Sequence, residues 1–510
     1  MSGRIAIYLY IALIAWFFIR DRKLRPMPSV ALWVPLLWLL IIGTRPVSFW
    51  FNPGLRPDSV EAYLEGSPLD AAGYLILLLL GIGILLRRRL NWAEVASANR
   101  WVAVFFLYCL ISVMWSEYSF VALKRWVKDF GNVTMVLVIL TETNIVAALR
   151  AMFVRYAYIV IPLSMMFIKY VPDIGRYYDP WSWQPMYRGV AGEKNALGAT
   201  VAFGTLFLIW DLIDRARTRR LAAAATESGG PPVEAPPPMN AFDIGGRVLL
   251  FGMAAWLLDK ADSSNAQVCL ALGSLLLFFF GKSMAGKQTL VRNLGWYSLL
   301  VLGAVMFVYL VPGVLAFILS SMGEDPTLTG RVDLWADILA IRNSEVVGAG
   351  YQSFWLSSEI DKLWAVYSFK PNQAHNGYIE TYVNLGFVGL GLLLCFLLSA
   401  AARLRKRMLN REPVAVLYFA LLVFVLFYNW SEAMFSNLTP AWFFTLLAAM
   451  TYQGVAAEAL TPATRWSKYK REPLPPRGSA EAPAGAAKPP RGAPPPGRLV
   501  GVRPRDVRRT

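Results

Sequence analysis

The sequence predicts an all-α, polytopic membrane protein of about 12–13 transmembrane helices with one large loop on its outer face. Three observations carry that expectation. Hydrophobic residues make up 56% of the chain and charged residues 16%, a balance that a water-soluble domain does not show. The apolar residues come in long blocks divided by short charged punctuation. Hydrocarbon offers no partner to a bare N–H or C=O, so each block has to satisfy its backbone internally, as a helix.

The blocks fall at residues 5–19, 30–43, 71–86, 101–115, 131–149, 152–170 and 195–213, then 248–258, 266–281, 294–318, 378–400, 414–427 and 441–455. The first has a signal-peptide-like core, but no small-residue cleavage site follows it, and a retained helix is expected. Basic clusters at 20–25, 87–89, 215–220 and 403–407 all occupy connections of one face. The positive-inside rule makes that face cytoplasmic and puts the long loop over 319–376 outside. The chain then divides into helices with short loops over 1–318, the outer loop, and helices again over 377–455. Two low-complexity stretches are expected to be disordered, a cytoplasmic loop near 214–246 and a Pro-rich tail over 456–510. Cys109, Cys269 and Cys395 fall inside spans and describe no disulfide framework.

A net charge of +17 invites a nucleic-acid reading, which the distribution removes. Residues 461–510 hold twelve Lys and Arg against three acids, about half of the excess. Anionic headgroups are the obvious partner for a basic tail after the last span. Few aromatic residues interleave with the cations, so no nucleic-acid partner is expected.

Four outer segments hold the residues able to do chemistry. Asp58, Glu61 and Glu65 stand at helical spacing; they could bind a divalent cation, but solvated acids are the favoured reading. Lys124, Arg125 and Lys128 follow the span ending at Trp115, and cations on an outer face either serve an anionic ligand or snorkel to headgroups. Arg188 and Lys194 flank a glycine turn immediately before a span, where free N–H groups and a helix dipole suit a phosphate; an ordinary loop facing headgroups is the alternative. In the long loop, apolar residues at 332, 335, 338, 339 and 341 predict an amphipathic helix capped by Thr329. Arg331 lies in its first turn against the dipole, and an ion pair with Asp333 or Asp337 is the bland explanation. The loop ends at His375, the chain's one histidine, where water meets hydrocarbon.

Read in order, these segments carry Arg-Gly…Lys-Asn-x-Leu-Gly at 188–198, Thr-Gly-Arg-x-x-x-Trp at 329–335 and Gly-x-Gly-Tyr at 348–351. His-Asn-x-Tyr-x-x-x-x-x-Asn-Leu-Gly follows at 375–386. The set resembles the O-antigen ligase and Wzy-type polymerase superfamily, most of all its ExoQ branch of exopolysaccharide polymerases. The similarity runs from about residue 71 to 455 and includes Trp115-Ser116-Glu117 and Asn429-Trp430-Ser431-Glu432. Members of the ligase branch usually carry an arginine just before the helix that begins here near Ala266; this chain has Ser263-Ser264-Asn265 instead.

The resemblance implies a GT-C-like membrane glycosyltransferase in the bacterial inner membrane with its site facing the periplasm. Its donor would be an undecaprenyl-diphosphate-linked glycan, its acceptor a glycan or lipid-linked sugar, and its partners other polysaccharide assembly and export proteins. Arg188, Lys194 and Arg331 are the candidate diphosphate clamp, since guanidinium forks hold phosphate through charge-assisted hydrogen bonds. His375 is the candidate catalytic residue, as base or as acceptor-positioning group; histidine titrates near neutrality, with an ordinary pKa of about 6.5. Asn376, Tyr378, Glu432, Lys124 and Arg125 are candidate supporting or sugar contacts. One histidine and three intramembrane cysteines suggest no transition-metal site, and no cofactor is expected. Polymerase, ligase to lipid A core or protein, and non-enzymatic transporter of lipid-linked sugars remain distinct readings. The transporter would need ionisable groups buried mid-span and paired broken helices, of which the sequence offers few.

Overall fold

A computed structural model describes residues 3–24, 28–51, 66–178, 184–229, 236–281, 286–295, 297, 331–341, 344–367, 370–412 and 414–452. The expected span at 294–318, the acids at 58–65, the Thr329 cap and the basic tail fall wholly or mainly outside these residues.

The chain folds as an all-α polytopic membrane protein. Its principal helices are α1 (Gly3–Leu24), α2 (Trp33–Gly43), α3 (Pro68–Arg87), α4 (Arg100–Ser112), α5 (Ser119–Leu140), α6 (Ile145–Tyr170) and α7 (Lys194–Glu227). They continue as α8 (Ala241–Ala261), α9 (Ser264–Gly281), α10 (Arg331–Ala340), α11 (Gly377–Leu409), α12 (Ala415–Tyr428) and α13 (Pro440–Ala449). Among the described residues seven helices are long and apolar enough to cross a membrane, or eight if the bent pair at 92–115 counts as one span. The apolar helices at 30–43, 415–428 and 440–449 are shorter. One two-stranded hairpin, absent from the expectation, pairs Arg176–Tyr178 with Pro185–Tyr187.

Helices α6 and α7 are the central pair, mostly buried in protein rather than facing lipid. Phe153 of α6 stacks on Phe207 of α7 with ring centroids 4.0 Å apart, and Phe203 meets Phe424 of α12 and Phe444 of α13. These rings lock four helices into one apolar core. The buried Asp129 of α5 accepts from Tyr351 Oη at 2.8 Å, Asn132 Nδ2 at 2.9 Å and Trp442 Nε1 at 3.1 Å. Those donors answer the cost of a buried carboxylate.

Four elements differ from the sequence expectation. The break between the fifth and sixth spans lies at 141–144, not after 149, because Asn144 caps α6 by accepting from Ala147 N. Hydropathy missed this because Arg150 and Arg155 sit inside α6, where Asp211, Asp214 and Asp21 pair with them. Lys124, Arg125 and Lys128 ride on the first turns of α5 rather than in a loop. The loop expected near 214–246 is largely helix, since the alanine run at 222–225 is the strongest helix former and carries α7 to Glu227. Finally, the run at 378–400 is not one straight span. Gly386 has φ +66°, ψ −168° and breaks α11.

Residues 345–350 fill that break. Phe387 N donates to Glu345 O at 2.8 Å, Val388 N to Val346 O at 3.1 Å, and Gly350 N to Asn384 O at 2.8 Å. Irregular backbone at membrane depth is tolerated where protein satisfies it. A Cβ at Gly386 would stand 2.2 Å from the Val346 carbonyl carbon, in a left-handed conformation that costs a non-glycine residue about 1–2 kcal/mol before any clash. Gly386→Ala is therefore expected to lower the thermal midpoint of the detergent-solubilised protein. Gly391→Ala, with open space around its Cβ, is expected to leave it unchanged or raise it by up to about 1 kcal/mol of stability.

Candidate active site at one end of the bundle

Four chain segments meet at the end of the bundle where α7 and α11 begin. The first is the loop after α12. Asn429 Oδ1 accepts from Met434 N at 2.9 Å and Phe435 N at 3.1 Å, folding 429–435 into a tight turn that carries Glu432 inward. Glu432 is only 2% exposed.

The second segment is the approach to α11. Gly377 N donates to Asn429 O at 2.8 Å, and a Cβ at Gly377 would lie 2.1 Å from Asn429 Oδ1. Asn376 is the cap of α11: its Oδ1 accepts from Tyr378 N and Ile379 N while its Nδ2 donates to Trp430 O at 3.1 Å. Ala374 is pinned on both sides, its carbonyl by Trp335 Nε1 at 2.8 Å and its N–H by Glu380 Oε2 at 2.9 Å. Between Ala374 and Asn376, His375 adopts φ +48°, a left-handed backbone conformation uncommon outside glycine. Its Nδ1 faces Glu432 Oε2 at 3.5 Å, and neither of these two buried atoms completes a hydrogen bond among the described residues.

The third segment is α10, the amphipathic helix the spacing predicted, packed through Leu334 and Ile338. Arg331 Nη1 donates to Ser431 O, and Nη2 lies 3.6 Å from Glu432 Oε1. Arg331 thus faces Glu432, an acid 101 positions away, in place of the local pairing with Asp333 or Asp337.

The fourth segment is the start of α7. Asn195 Nδ2 donates to Glu432 Oε1 at 2.7 Å, and Tyr428 Oη holds the Asn195 carbonyl at 2.9 Å. Burial raises the Glu193 carboxyl above the usual carboxylate range and Glu432 adds to the rise, while His375 and Arg331 oppose it. Lys194 Nζ lies 3.4 Å from Asp262 Oδ2, a carboxylate that is 83% exposed.

The other candidates occupy the surroundings. Arg188 Nε and Nη2 donate to the carbonyls of Ile174 and Asp173 at 3.0 and 3.2 Å, so much of its fork is already engaged in the loop. Tyr378 Oη donates to Leu426 O at 3.1 Å and packs its ring on Phe435, which docks α11. Lys124 lies over Phe120, and Arg125 donates to Gln352 O, on a flank whose Gln352 in turn contacts Ser436. Sequence reading singled out neither Glu193 nor Arg45, and it quoted Asn195 only as a motif letter without a site role. The buried Arg45 donates to Ala191 O at 2.7 Å, Gly189 O at 2.8 Å and Ile174 O at 2.6 Å, bracing the glycine turn; burial, with Arg188 adding to the effect, lowers its pKa to about 10. A lone arginine following a Thr carries no motif, so only its fold position reveals it. No group of three or more His, Cys, Asp or Glu able to hold a metal occurs among the described residues.

Fold and site together define a polytopic membrane protein with a buried acid, a histidine and loosely paired cations at one end of its bundle. Residues 248–394 match the family described as O-antigen ligase, Wzy_C, a stretch that includes Arg331 and His375 but not 188–195 or Glu432. The chain is also similar to the exopolysaccharide production protein ExoQ of Rhizobium meliloti (strain 1021), 27% identical over 328 residues, which is 62% of this chain and 68% of that protein. The two findings support an O-antigen ligase/ExoQ-like assignment.

Because the folded state holds Glu193 protonated above its ordinary value of 4.5, its ionisation costs stability as pH rises through that raised value. Glu193→Gln removes the ionisation. The variant is expected to melt at a higher temperature than the wild type at neutral pH, with the difference vanishing below pH 4.5, as a pH series of thermal scans would read.

Proposed function

We propose that this polysaccharide-processing membrane enzyme is a glycosyltransferase that moves a glycan from an undecaprenyl-diphosphate carrier to a sugar hydroxyl, extending exopolysaccharide or O-antigen repeat units. The observation that carries the proposal is the meeting of His375, Arg331 and Asn195 around the buried Glu432.

The acceptor oxygen attacks the anomeric carbon, the bond from that carbon to the phosphate oxygen breaks, and the lipid diphosphate leaves with the bonding pair. Diphosphate is already a good leaving group, so the demand on the protein is to neutralise it. Arg331 and Lys194 suit that task because their present ion pairs are long, at 3.6 and 3.4 Å, and exchangeable. Arg188 contributes charge at the rim, with its fork largely committed to the loop. The acceptor proton passes to His375. With Nδ1 turned toward Glu432, the ring offers its other nitrogen to the hydroxyl, and Glu432 stabilises the imidazolium that results. No metal is assigned a step. The grouping of basic connections at the opposite end supports an inner-membrane protein whose site faces the periplasm.

Ligation of finished glycan to lipid A core is the second reading, favoured by the description of the matching family. Polymerisation is preferred because the relative is named for exopolysaccharide production and because Ser263-Ser264-Asn265 stands where the ligase branch usually has arginine. In a deletion strain, single repeat units on the surface lipid indicate a polymerase, whereas accumulated carrier-linked polymer indicates a ligase.

His375→Ala is expected to reduce chain growth about 10²–10⁴-fold while carrier-linked units are still delivered. Normal polymer in that strain would remove the proposal. Arg331→Ala is expected to cost about 10²–10³-fold, with partial recovery in Arg331→Lys, which keeps the charge and loses the fork. Activity of the purified protein is expected to survive EDTA; loss with rescue by magnesium or manganese would overturn the metal-free scheme.

A further inference from the structure

The opposite end of the bundle holds a second polar cluster that the proposed reaction does not use. Asp211 of α7 lies seventeen residues beyond Lys194, about 26 Å along the helix at 1.5 Å per residue, so the two ends are a bilayer apart. Asp211 is fully buried, forms an ion pair with Arg150 Nε at 3.0 Å, and accepts from Arg215 Nε at 3.3 Å and Arg247 Nη2 at 2.5 Å. Nearby, Arg155 pairs with Asp21 at 2.9 Å, and Arg20 with Asp243 at 2.8 Å.

A narrow cleft opens onto this cluster, lined by Trp16, Arg20, Asp21, Arg215, Asp243 and Arg247 among others. Arg247 is 5% exposed, and its Nη1 has no hydrogen-bond partner among the described residues. A buried guanidinium N–H with nothing to donate to is costly, and a cleft beside it offers the place for an acceptor. Three arginines against two aspartates give the lining a net charge of +1, which one phosphodiester neutralises. An adjoining cleft shares Trp16 and Arg20 and opens beside Asn240 and Phe242. Phe242 is 76% exposed and Ile19 60%, so the mouth is flanked by apolar surface suited to acyl chains, with a tryptophan at the polar boundary.

We propose that this cleft holds the phosphodiester headgroup of one membrane phospholipid, with Arg247 Nη1 as the buried donor and Arg20 and Arg215 beside it. The lipid bridges α1, α7 and α8 in the leaflet opposite His375. The apolar mouth favours a lipid over free phosphate, because an inorganic ion would gain nothing from Trp16 and Phe242.

The test is native mass spectrometry of the delipidated full-length protein titrated with phosphatidylglycerol, with diacylglycerol as the phosphate-free control and inorganic phosphate as competitor. One phosphatidylglycerol is expected to bind, and diacylglycerol is expected not to. Arg247→Lys, which keeps the charge for Asp211 and loses the second donor, is expected to weaken binding about tenfold, the scale of one charge-assisted hydrogen bond. Arg20→Gln alters only a half-exposed partner of the cleft and is expected to weaken it in the same direction, so the proposal stays testable if the first variant does not fold. Unchanged phosphatidylglycerol affinity in both variants, equal binding of diacylglycerol, or displacement by millimolar phosphate would each overturn it.

Discussion

Burying a carboxylate at the end of a helix bundle creates a demand for donors, and the end of this bundle where α7 and α11 begin is organised by how Glu432 meets it. An ionised carboxylate stripped of water costs several kcal/mol, comparable with the whole margin of a fold, unless hydrogen bonds and charges replace the solvent. Glu432 draws Asn195 from the start of α7, Arg331 from the outer loop and His375 from the approach to α11. Each arrives on a braced backbone: Tyr428 holds Asn195, Trp335 and Glu380 hold Ala374 beside the histidine, and Asn429 shapes the turn beneath the acid. The long loop is thereby tied to the membrane helices at the point where its motifs converge.

The two polar ends of the bundle are built to different tolerances. At the end with Glu432 the cations stand 3.4 and 3.6 Å from their acids. At the other end Arg155 and Arg20 approach theirs to 2.9 and 2.8 Å, while Arg215 stands 3.3 Å from Asp211. Short pairs such as the buried Arg155–Asp21 fix helices in place. Long pairs at a half-exposed lip are exchangeable, and the proposed contact with a diphosphate rests on that feature. The aromatic core of Phe153, Phe203, Phe207 and Phe444 separates the ends and holds α6 and α7 rigid between them.

Strain also gathers at the end that holds Glu432. Asp262, Gln352, His375 and Ser436 all have positive φ without being glycine, and Gly386 breaks α11 two and a half turns below its cap. Such conformations persist only where neighbours over-determine them, and here the neighbours are the motif residues themselves. Asn384 shows this directly, because its Oδ1 accepts from both Ser353 N and Phe354 N while Gly386 admits the turn of residues 345–350.

Much of this was legible in the chain. Apolar blocks are local in sequence, so the helical membrane class, the amphipathic α10 and the placement of His375 at a helix mouth follow from residues read a few at a time. The basic connections likewise predict an orientation without any coordinates. Hydropathy failed where distant partners neutralise a charge: Arg150 and Arg155 are intrahelical only because Asp211, Asp214 and Asp21 reach them. The pairing of Arg331 with Glu432, the capping task of Asn376, the engagement of Arg188 with its own loop and the presence of Arg45, Glu193 and Asn195 around the site were decided by tertiary structure alone. The physical reason is that periodicity and charge are properties of neighbours along the chain, whereas desolvation and hydrogen-bond satisfaction depend on which segments meet once it is folded.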